Sequence, residues 1–287
     1  MTGELSYEHT LREVTTPKGV LRYHEAGAPH WPTVLFLHGS GPGVTGWRNF
    51  RGNLPAFAEF FHCLVLELPG FGVSDDFGGH PMFDAQEAAV AFLDALGLGS
   101  VMVIGNSMGG IVGANLAIQH PDRVAKLVTI GGLGTSTLGT APSEGIRLLV
   151  EFTDEPSKDA LIRWLRSMVH DQALITEELI AQRWELATDP ATLAGARRMY
   201  GSAAMAATAE AAARSPHPPY WARLHKIIAP TLLTWGRDDR VSPLDMSLLP
   251  LRTIPGAELH VFGHCGHWVM IEAKEAFERT VIPFLTR

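Results

Sequence analysis

One stretch constrains this chain more than any other: Val101-Met-Val-Ile-Gly-Asn-Ser-Met-Gly-Gly-Ile-Val-Gly113. An apolar run, Val101 to Ile104, meets a cluster of small residues, and a helix-like segment, Ile111 to Gln119, follows. That is the pattern of a buried strand turning sharply into a helix. Within it, Gly105-Asn106-Ser107-Met108-Gly109 has the form G-x-S-x-G. A serine on so tight a turn needs glycine two residues to either side, because larger neighbours would clash. The turn lifts Ser107 Oγ above the sheet at a helix N-terminus, where N–H groups and the helix dipole favour developing negative charge. The plain alternative is a glycine-rich turn whose serine is only a cap, and five residues do not separate the two.

The rest of the chain supplies a matching frame. Residues 7–25 alternate apolar and polar around Lys18-Gly19, which predicts an antiparallel hairpin. Short strands are expected at Thr33–Leu37, Phe61–Glu67, Val124–Ile130, Thr231–Trp235 and Glu258–Phe262. Helices are expected at Asp84–Leu96, near Leu244–Leu251 and from Ala273 onward. Strands alternating with helices imply an α/β fold with a mostly parallel, doubly wound sheet. Between about Ala141 and Ser215 the strands disappear and helical patterns take over, at 146–152, 158–168, 177–186 and 193–214. The expected organisation is therefore a core in two parts, residues 1–140 and 216–287, with a helical lid, residues 141–215, inserted over the strand ends.

Bulk properties exclude several function classes. A net charge of −7 with no Lys/Arg-rich run argues against a nucleic-acid surface. No stretch approaches the roughly 20 apolar residues of a membrane span. The N-terminus has neither a basic nor an apolar signal region, and two cysteines are too few for a disulfide framework, so a cytoplasmic protein is expected. No His/Cys/Asp/Glu cluster has metal-ligand spacing, and the glycine loops lack the phosphate and dinucleotide signatures. No metal and no cofactor are expected.

An acyl-transfer serine needs a base, and the base needs an orienting carboxylate. Two loops after strand ends offer them: Trp235-Gly-Arg-Asp-Asp-Arg240 and Gly263-His-Cys-Gly-His-Trp268. Of the adjacent carboxylates, Asp239 is taken as the orienter and Asp238 as a turn cap or arginine partner. Of the histidines, His267 is taken as the base, deeper in its loop than His264. An oxyanion site draws on backbone N–H groups. The His38-Gly39-Ser40-Gly41 turn supplies one donor, from Ser40 or Gly41, and Met108, the residue after the serine, supplies the other. His38 is read as bracing its loop rather than as a second base.

With these residues in view, the chain resembles the α/β-hydrolase superfamily over its whole length. It resembles more narrowly the meta-cleavage-product hydrolases, carbon–carbon bond hydrolases of bacterial aromatic degradation. The marks are His38-Gly-Ser-Gly-Pro-Gly-Val-Thr-Gly-Trp-Arg-Asn49, Gly105-Asn-Ser-Met-Gly-Gly110, Asp171-Gln-Ala-Leu-Ile-Thr-Glu-Glu-Leu-Ile-Ala-Gln-Arg-Trp184, Trp235-Gly-Arg-Asp-Asp-Arg240 and Cys265-Gly-His-Trp268. The third lies in the lid, where hydrolases in general share little, and is the most specific. The resemblance implies an α/β-hydrolase fold and 2-hydroxy-6-oxo-hexa-2,4-dienoate substrates. It implies that Arg183 grips the dienoate carboxylate, that Asn49 and Asn106 help hold that end, and that Gly39, Met168 and Trp268 line the pocket. Without it, Arg183 reads as a solvated helix charge. It also implies ketonisation of the dienol with His267 as acid/base, cleavage at Ser107 by an acyl-enzyme or gem-diol route, and a homo-oligomer.

The chain departs from its relatives in three places. Glu67 stands where many have Asp; Met168-Val-His170 stands where phenyl-accepting relatives carry a bulky aromatic; and residues 203–219 match poorly. The 6-substituent is left open. The competing readings are a serine esterase, lactonase or perhydrolase with the same triad, and a non-catalytic protein of the same fold. Haloalkane dehalogenases and epoxide hydrolases are disfavoured, since both use Asp where Ser107 stands.

Overall fold

The short apolar runs are strands buried on both faces. In the run Thr33–Leu37, Val34 and Phe36 pack into the core on one side of a sheet, while Leu35 and Leu37 pack into a second core on the other. Continuous burial of this kind is what helices on both faces of a parallel sheet require. A computed structural model describes residues 5–139 and 141–287. The N-terminal reading of residues 1–4 and the expected core–lid junction at residue 140 lie outside the described residues.

The sheet runs β1 (Leu11–Thr16), β2 (Gly19–Ala26), β3 (Thr33–Leu37), β4 (His62–Leu66), β5 (Val101–Asn106), β6 (Val124–Ile130), β7 (Thr231–Gly236) and β8 (Glu258–Phe262) in sequence. In space the order is β1-β2-β4-β3-β5-β6-β7-β8. β2 pairs antiparallel with β1 and β4, and all the remaining neighbours are parallel. Register places Leu37 opposite Gly105, Asn106 opposite Ile130 and Gly236 opposite Phe262, so β3, β5, β6, β7 and β8 all finish at one edge. Every loop singled out above leaves from that edge.

The helices that matter to the site are α1 (Gly46–Phe50), α2 (Pro81–Ala95) and α3 (Met108–Gln119), then the run between β6 and β7, then α9 (Lys274–Thr286). That run comprises α4 (Glu144–Asp154), α5 (Lys158–Met168), α6 (Glu177–Ala187), α7 (Pro190–Tyr200) and α8 (Ser202–Arg214). Three expectations are corrected. α3 begins at Met108, three residues before the expected Ile111, because the turn is so tight that the helix starts at the residue after the serine. α2 begins at Pro81, where proline's missing N–H costs nothing in a first turn. The single helix expected over 193–214 is two, divided at Gly201, whose extended backbone ends α7; Asp154 Oδ1 then accepts the Ser202 amide at 3.0 Å, starting α8 in a new direction.

Candidate active site

Ser107 sits between β5 and α3 with φ 52° and ψ −114°, a conformation that L-residues rarely adopt. The surrounding backbone holds it there: its N–H donates to Ile130 O at 2.9 Å, and its carbonyl accepts from Gly110 N at 2.9 Å. The flanking glycines are compulsory. A Cβ on Gly105 would lie 2.3 Å from Gly109 O, and one on Gly109 would lie 2.1 Å from Leu37 O. Strain stored at one residue by its neighbours is characteristic of functional turns.

Asp239 and His267 come from the loops after β7 and β8, and both are buried. Asp239 Oδ1 accepts the amides of Val241 and Ser242 at 2.8 Å each, which leaves Oδ2 for His267 Nδ1 at 2.7 Å. With Nδ1 as donor to the carboxylate, the imidazole presents Nε2 to the cavity as an acceptor. His267 and Ser107 line the same cavity without a direct hydrogen bond between them among the described residues. Catalytic contacts are commonly loose in the unliganded state. Asp238 instead lies near the surface, bonded to Arg237, which holds its carboxyl below the usual carboxylate range. His264 is exposed with φ 52°, beside His170.

The loop after β3 lies against Ser107: a Cβ placed on Gly39 would be 3.5 Å from Ser107 Cβ. His38 is wholly buried beneath it. Its Nδ1–H donates to Gly39 O at 2.6 Å and its Nε2 accepts from Leu68 N at 2.9 Å, so both ring nitrogens are committed to backbone. Burial pushes its pKa below the usual histidine value. Glu67 next to it is fully engaged as well, accepting the Gly46 and Trp47 amides at 2.7 and 2.8 Å and so fixing the start of α1. Among the described residues the amides of Ser40 and Gly41 donate to no protein acceptor. Met108 opens α3, so its amide belongs to the first-turn N–H groups that have no partner within their helix.

Lid and core meet over this point. The cavity above Ser107 encloses about 30 Å³ and is lined by Gly39, Ser40 and Gly41, by Asn49, Asn106 and His267, and from the lid by Trp164, Met168, Arg183 and Tyr200. Trp268 closes one side and Ile146, Leu149 and Val241 another. A larger open cleft of about 800 Å³, bordered by Tyr7, Arg48 and Leu186, contains none of Ser107, Asp239 and His267. The small cavity is the one with convergent polar groups, and that decides between them.

Arg183 is 2 % exposed, so the reading of it as a solvated helix charge is overturned. It stands on the inner face of α6 with Ile180 and Ala187. Nη1 donates to Pro42 O at 3.1 Å, the guanidinium lies 5.0 Å from the centre of the Trp268 ring, and Nε has no partner. Among the described residues no carboxylate pairs with it. Burial, with Arg48 nearby, pushes its pKa down to about 9. Asn49 Nδ2 donates to Asn106 Oδ1 at 3.0 Å, and Asn106 Nδ2 donates to Ile130 O, so the two amides form one fixed pair at the cavity floor.

Of the cavity residues not anticipated from the sequence, two carry a polar group. Trp164 lies on α5 with its indole N–H buried and unpartnered, its ring at 6.4 Å and 75° to that of Trp268. Tyr200, the last residue of α7, reaches down so that its hydroxyl is 2.5 Å from Ser40 Oγ. The lid is also tied to the loop that carries His267. His267 N donates to Met168 O at 2.7 Å, and Glu272 takes the amides of His170 and Asp171 through Oε1 and that of Gly266 through Oε2.

Known proteins share this fold over nearly the whole chain. The family model for the alpha/beta hydrolase fold matches residues 32–274. A Burkholderia vietnamiensis 2-hydroxy-6-oxononadienedioate/2-hydroxy-6-oxononatrienedioate hydrolase is 39% identical over 273 residues, covering 93% of this chain and 91% of its own. A Burkholderia cepacia 2-hydroxy-6-oxo-6-phenylhexa-2,4-dienoate hydrolase is 38% identical over 295 residues, covering 98% of each. Among solved structures, the 2-hydroxy-6-oxo-6-phenylhexa-2,4-dienoate hydrolase of a Rhodococcus species superposes with a TM-score of 0.85 at 28% identity, covering 96% of this chain and 99% of that one. A meta-cleavage product hydrolase of Pseudomonas fluorescens gives 0.84 at 27% identity, covering 96% and 97%.

Proposed function

The chain belongs to the alpha/beta hydrolase fold family and, within it, to the meta-cleavage-product hydrolases, and on that premise we propose how its own residues carry out the reaction. It is a hydrolase of carbon–carbon bonds in 2-hydroxy-6-oxo-dienoates, acting in aromatic degradation. Ser107 is the nucleophile, His267 its base and Asp239 the carboxylate that orients the base. Arg183 holds the substrate's carboxylate, with Asn49 and Asn106 beside it, while Gly39, Met168 and Trp268 shape the pocket.

The observation that carries this assignment is Arg183. A buried guanidinium without a carboxylate partner is costly unless a ligand supplies one. It borders the same cavity as Ser107, so a carboxylated substrate bound there is held at one end and presented to the serine at the other. A planar guanidinium can do this with two parallel bonds.

The steps follow. His267 moves a proton during ketonisation of the dienol, from the 2-hydroxyl to C5, which makes the 2-oxo group an electron sink. Ser107 Oγ, losing its proton to His267, adds to C6. The resulting oxyanion is met by the Met108 amide and by that of Ser40 or Gly41. The C5–C6 bond then breaks, its electron pair passing to the 2-oxo oxygen as a dienolate. The dienolate oxygen takes the proton that His267 holds and leaves as 2-hydroxypenta-2,4-dienoate. Water, deprotonated by the freed His267, then attacks the acyl carbon, and the acid departs as Ser107 Oγ takes that proton back. Support for the acyl route over a gem-diol is the strained, raised position of Ser107.

The wall formed by Ile146, Leu149, Met168 and Val241 supports an uncharged 6-substituent, because Arg183 is the only lysine or arginine among the described lining residues. A second carboxylate would be buried without a cation. The assay is bleaching of yellow hydroxy-oxo-dienoates beside p-nitrophenyl acetate. Ester turnover without bleaching of any dienoate would overturn the assignment, and preference for a dioate over the 6-phenyl or 6-methyl compound would overturn the substituent. No described helix is long and apolar enough to cross a membrane. A cytoplasmic homo-oligomer completes the proposal, tested by fractionation and light scattering.

A further inference from the structure

Tyr200 and Ser40 form a pair of hydroxyls that nothing in the steps above uses. Their oxygens are 2.5 Å apart, one on the lid helix α7 and the other on the loop after β3, and both border the cavity that holds Ser107. The hydrogens can be counted. Two hydroxyls carry two hydrogens, and their mutual bond consumes one. Among the described residues neither oxygen has another hydrogen-bond partner, so one hydrogen is left over. Left-over polar hydrogens beside a cavity are donors for whatever occupies it.

Which hydrogen is free follows from acidity. A phenol is the stronger acid and the better donor, so Tyr200 gives its hydrogen to Ser40 Oγ. That leaves the Ser40 hydrogen free, and the bond from Tyr200 takes up one lone pair of Oγ and limits where the hydrogen can swing. Burial raises the Tyr200 pKa, which keeps the phenol protonated near neutral pH and able to donate. The Ser40 residue also sits near Ser107, since a Cβ on its neighbour Gly39 would stand 3.5 Å from Ser107 Cβ and both Ser40 and Ser107 line the same cavity.

We propose that Tyr200 is a positioning residue that aims the Ser40 hydroxyl at the 6-oxo oxygen, so that Ser40 adds a side-chain donor to the backbone amides that meet the oxyanion. The inference rests on Ser107 being the nucleophile. The donor is divided between lid and core: the Ser40 hydroxyl is aimed only while Tyr200, at the end of α7, is seated over the loop.

A double-mutant cycle on Ser40→Ala and Tyr200→Phe tests this, with kcat and KM measured for a 6-phenyl dienoate and for p-nitrophenyl acetate. Loss of one oxyanion donor costs about 10²-fold in kcat, which is expected for Ser40→Ala. Tyr200→Phe leaves the Ser40 hydroxyl present but unaimed, and is expected to lower kcat about tenfold, the size of one neutral hydrogen bond. KM should stay within about threefold, and melting temperatures near wild type show that the lid packs as before. In the double variant the Tyr200→Phe loss should vanish, leaving kcat at the Ser40→Ala value. Additive losses, or a Tyr200→Phe effect confined to KM, would overturn the proposal, because Tyr200 would then act without Ser40. Absence of dienoate turnover in the wild type would count against the carbon–carbon hydrolase assignment instead, and the cycle on the ester would still decide the hydroxyl pair.

Discussion

Replacing Arg183 with methionine should make the unliganded protein more stable and a far worse enzyme. Methionine keeps an unbranched apolar stem and removes the charge. In the folded chain burial draws the guanidinium well below its usual value, to about 9. At about 1.4 kcal/mol per tenfold change in proton affinity, holding it charged costs about 5 kcal/mol. Against this stand a charged hydrogen bond to the Pro42 carbonyl, about 2 kcal/mol, and the contact with Trp268, about 1–2 kcal/mol. Removing all three leaves a net stabilisation of about 1–2 kcal/mol, or about 2–4 °C in Tm for a chain of this length. A substrate carboxylate held as proposed would, by contrast, lose the one arginine or lysine among the described cavity-lining residues. Breaking such a pair from one side costs about 3–4 kcal/mol, a fall of about 10²–10³ in kcat/KM. The measurements are thermal melting without ligand, bleaching of a 6-phenyl dienoate, and hydrolysis of p-nitrophenyl acetate, which carries no carboxylate and should change less than about threefold. A variant that melts several degrees lower and loses both activities equally would refute the reasoning, because Arg183 would then be a brace for the Pro42 loop.

Three further outcomes follow from the same geometry. Asp239→Asn keeps an oxygen for the Val241 and Ser242 amides but not an anionic partner for His267 Nδ1, so kcat should fall about 10³–10⁴-fold with little change in melting; a loss under tenfold would remove Asp239 from its role. Gly105→Ala forces a Cβ to 2.3 Å from Gly109 O, and should cost at least about 3 kcal/mol; a variant melting like the wild type would mean that the turn can relax. His38 has a lowered pKa in the fold, so below about pH 6.5 the unfolded chain binds a proton that the folded chain refuses, and stability is lost as pH falls, by at most about 1.4 kcal/mol per pH unit. Urea midpoints between pH 7 and 5 should fall less steeply in His38→Asn, and parallel curves would contradict this.

The sheet and its turns were legible because their signals are local. A glycine that cannot be anything else marks the turn at Ser107, and short apolar runs mark strands buried on two sides. The meeting of Ser107, Asp239 and His267 at one edge was legible for the same reason, as each lies just past a strand end. Lid residues were harder. Arg183 reads as a surface charge by type, yet it falls three residues after Ile180 and four before Ala187, in phase with the buried face of α6. That phase was an available signal. Trp164 stands among Leu161, Leu165 and Met168 on α5, where an aromatic facing a cavity cannot be told from one facing a core. Tyr200 was hidden by the helix expected to run through it; the break at Gly201, set by Asp154 from a distant helix, is a tertiary effect.

The ties between lid and base have a consequence for how such a chain can change over generations. The linker after α5 is bonded to the loop of His267 through Met168 O and through the three amides gathered by Glu272. α8, by contrast, has no buried residue. Substitutions there are free to drift without moving His267. A change at residues 168–171 drags His267 with it. Diversity should therefore accumulate at one end of the lid while the other is inherited nearly intact, and a library confined to residues 202–214 should yield folded, active variants far more often than one spread over 168–171.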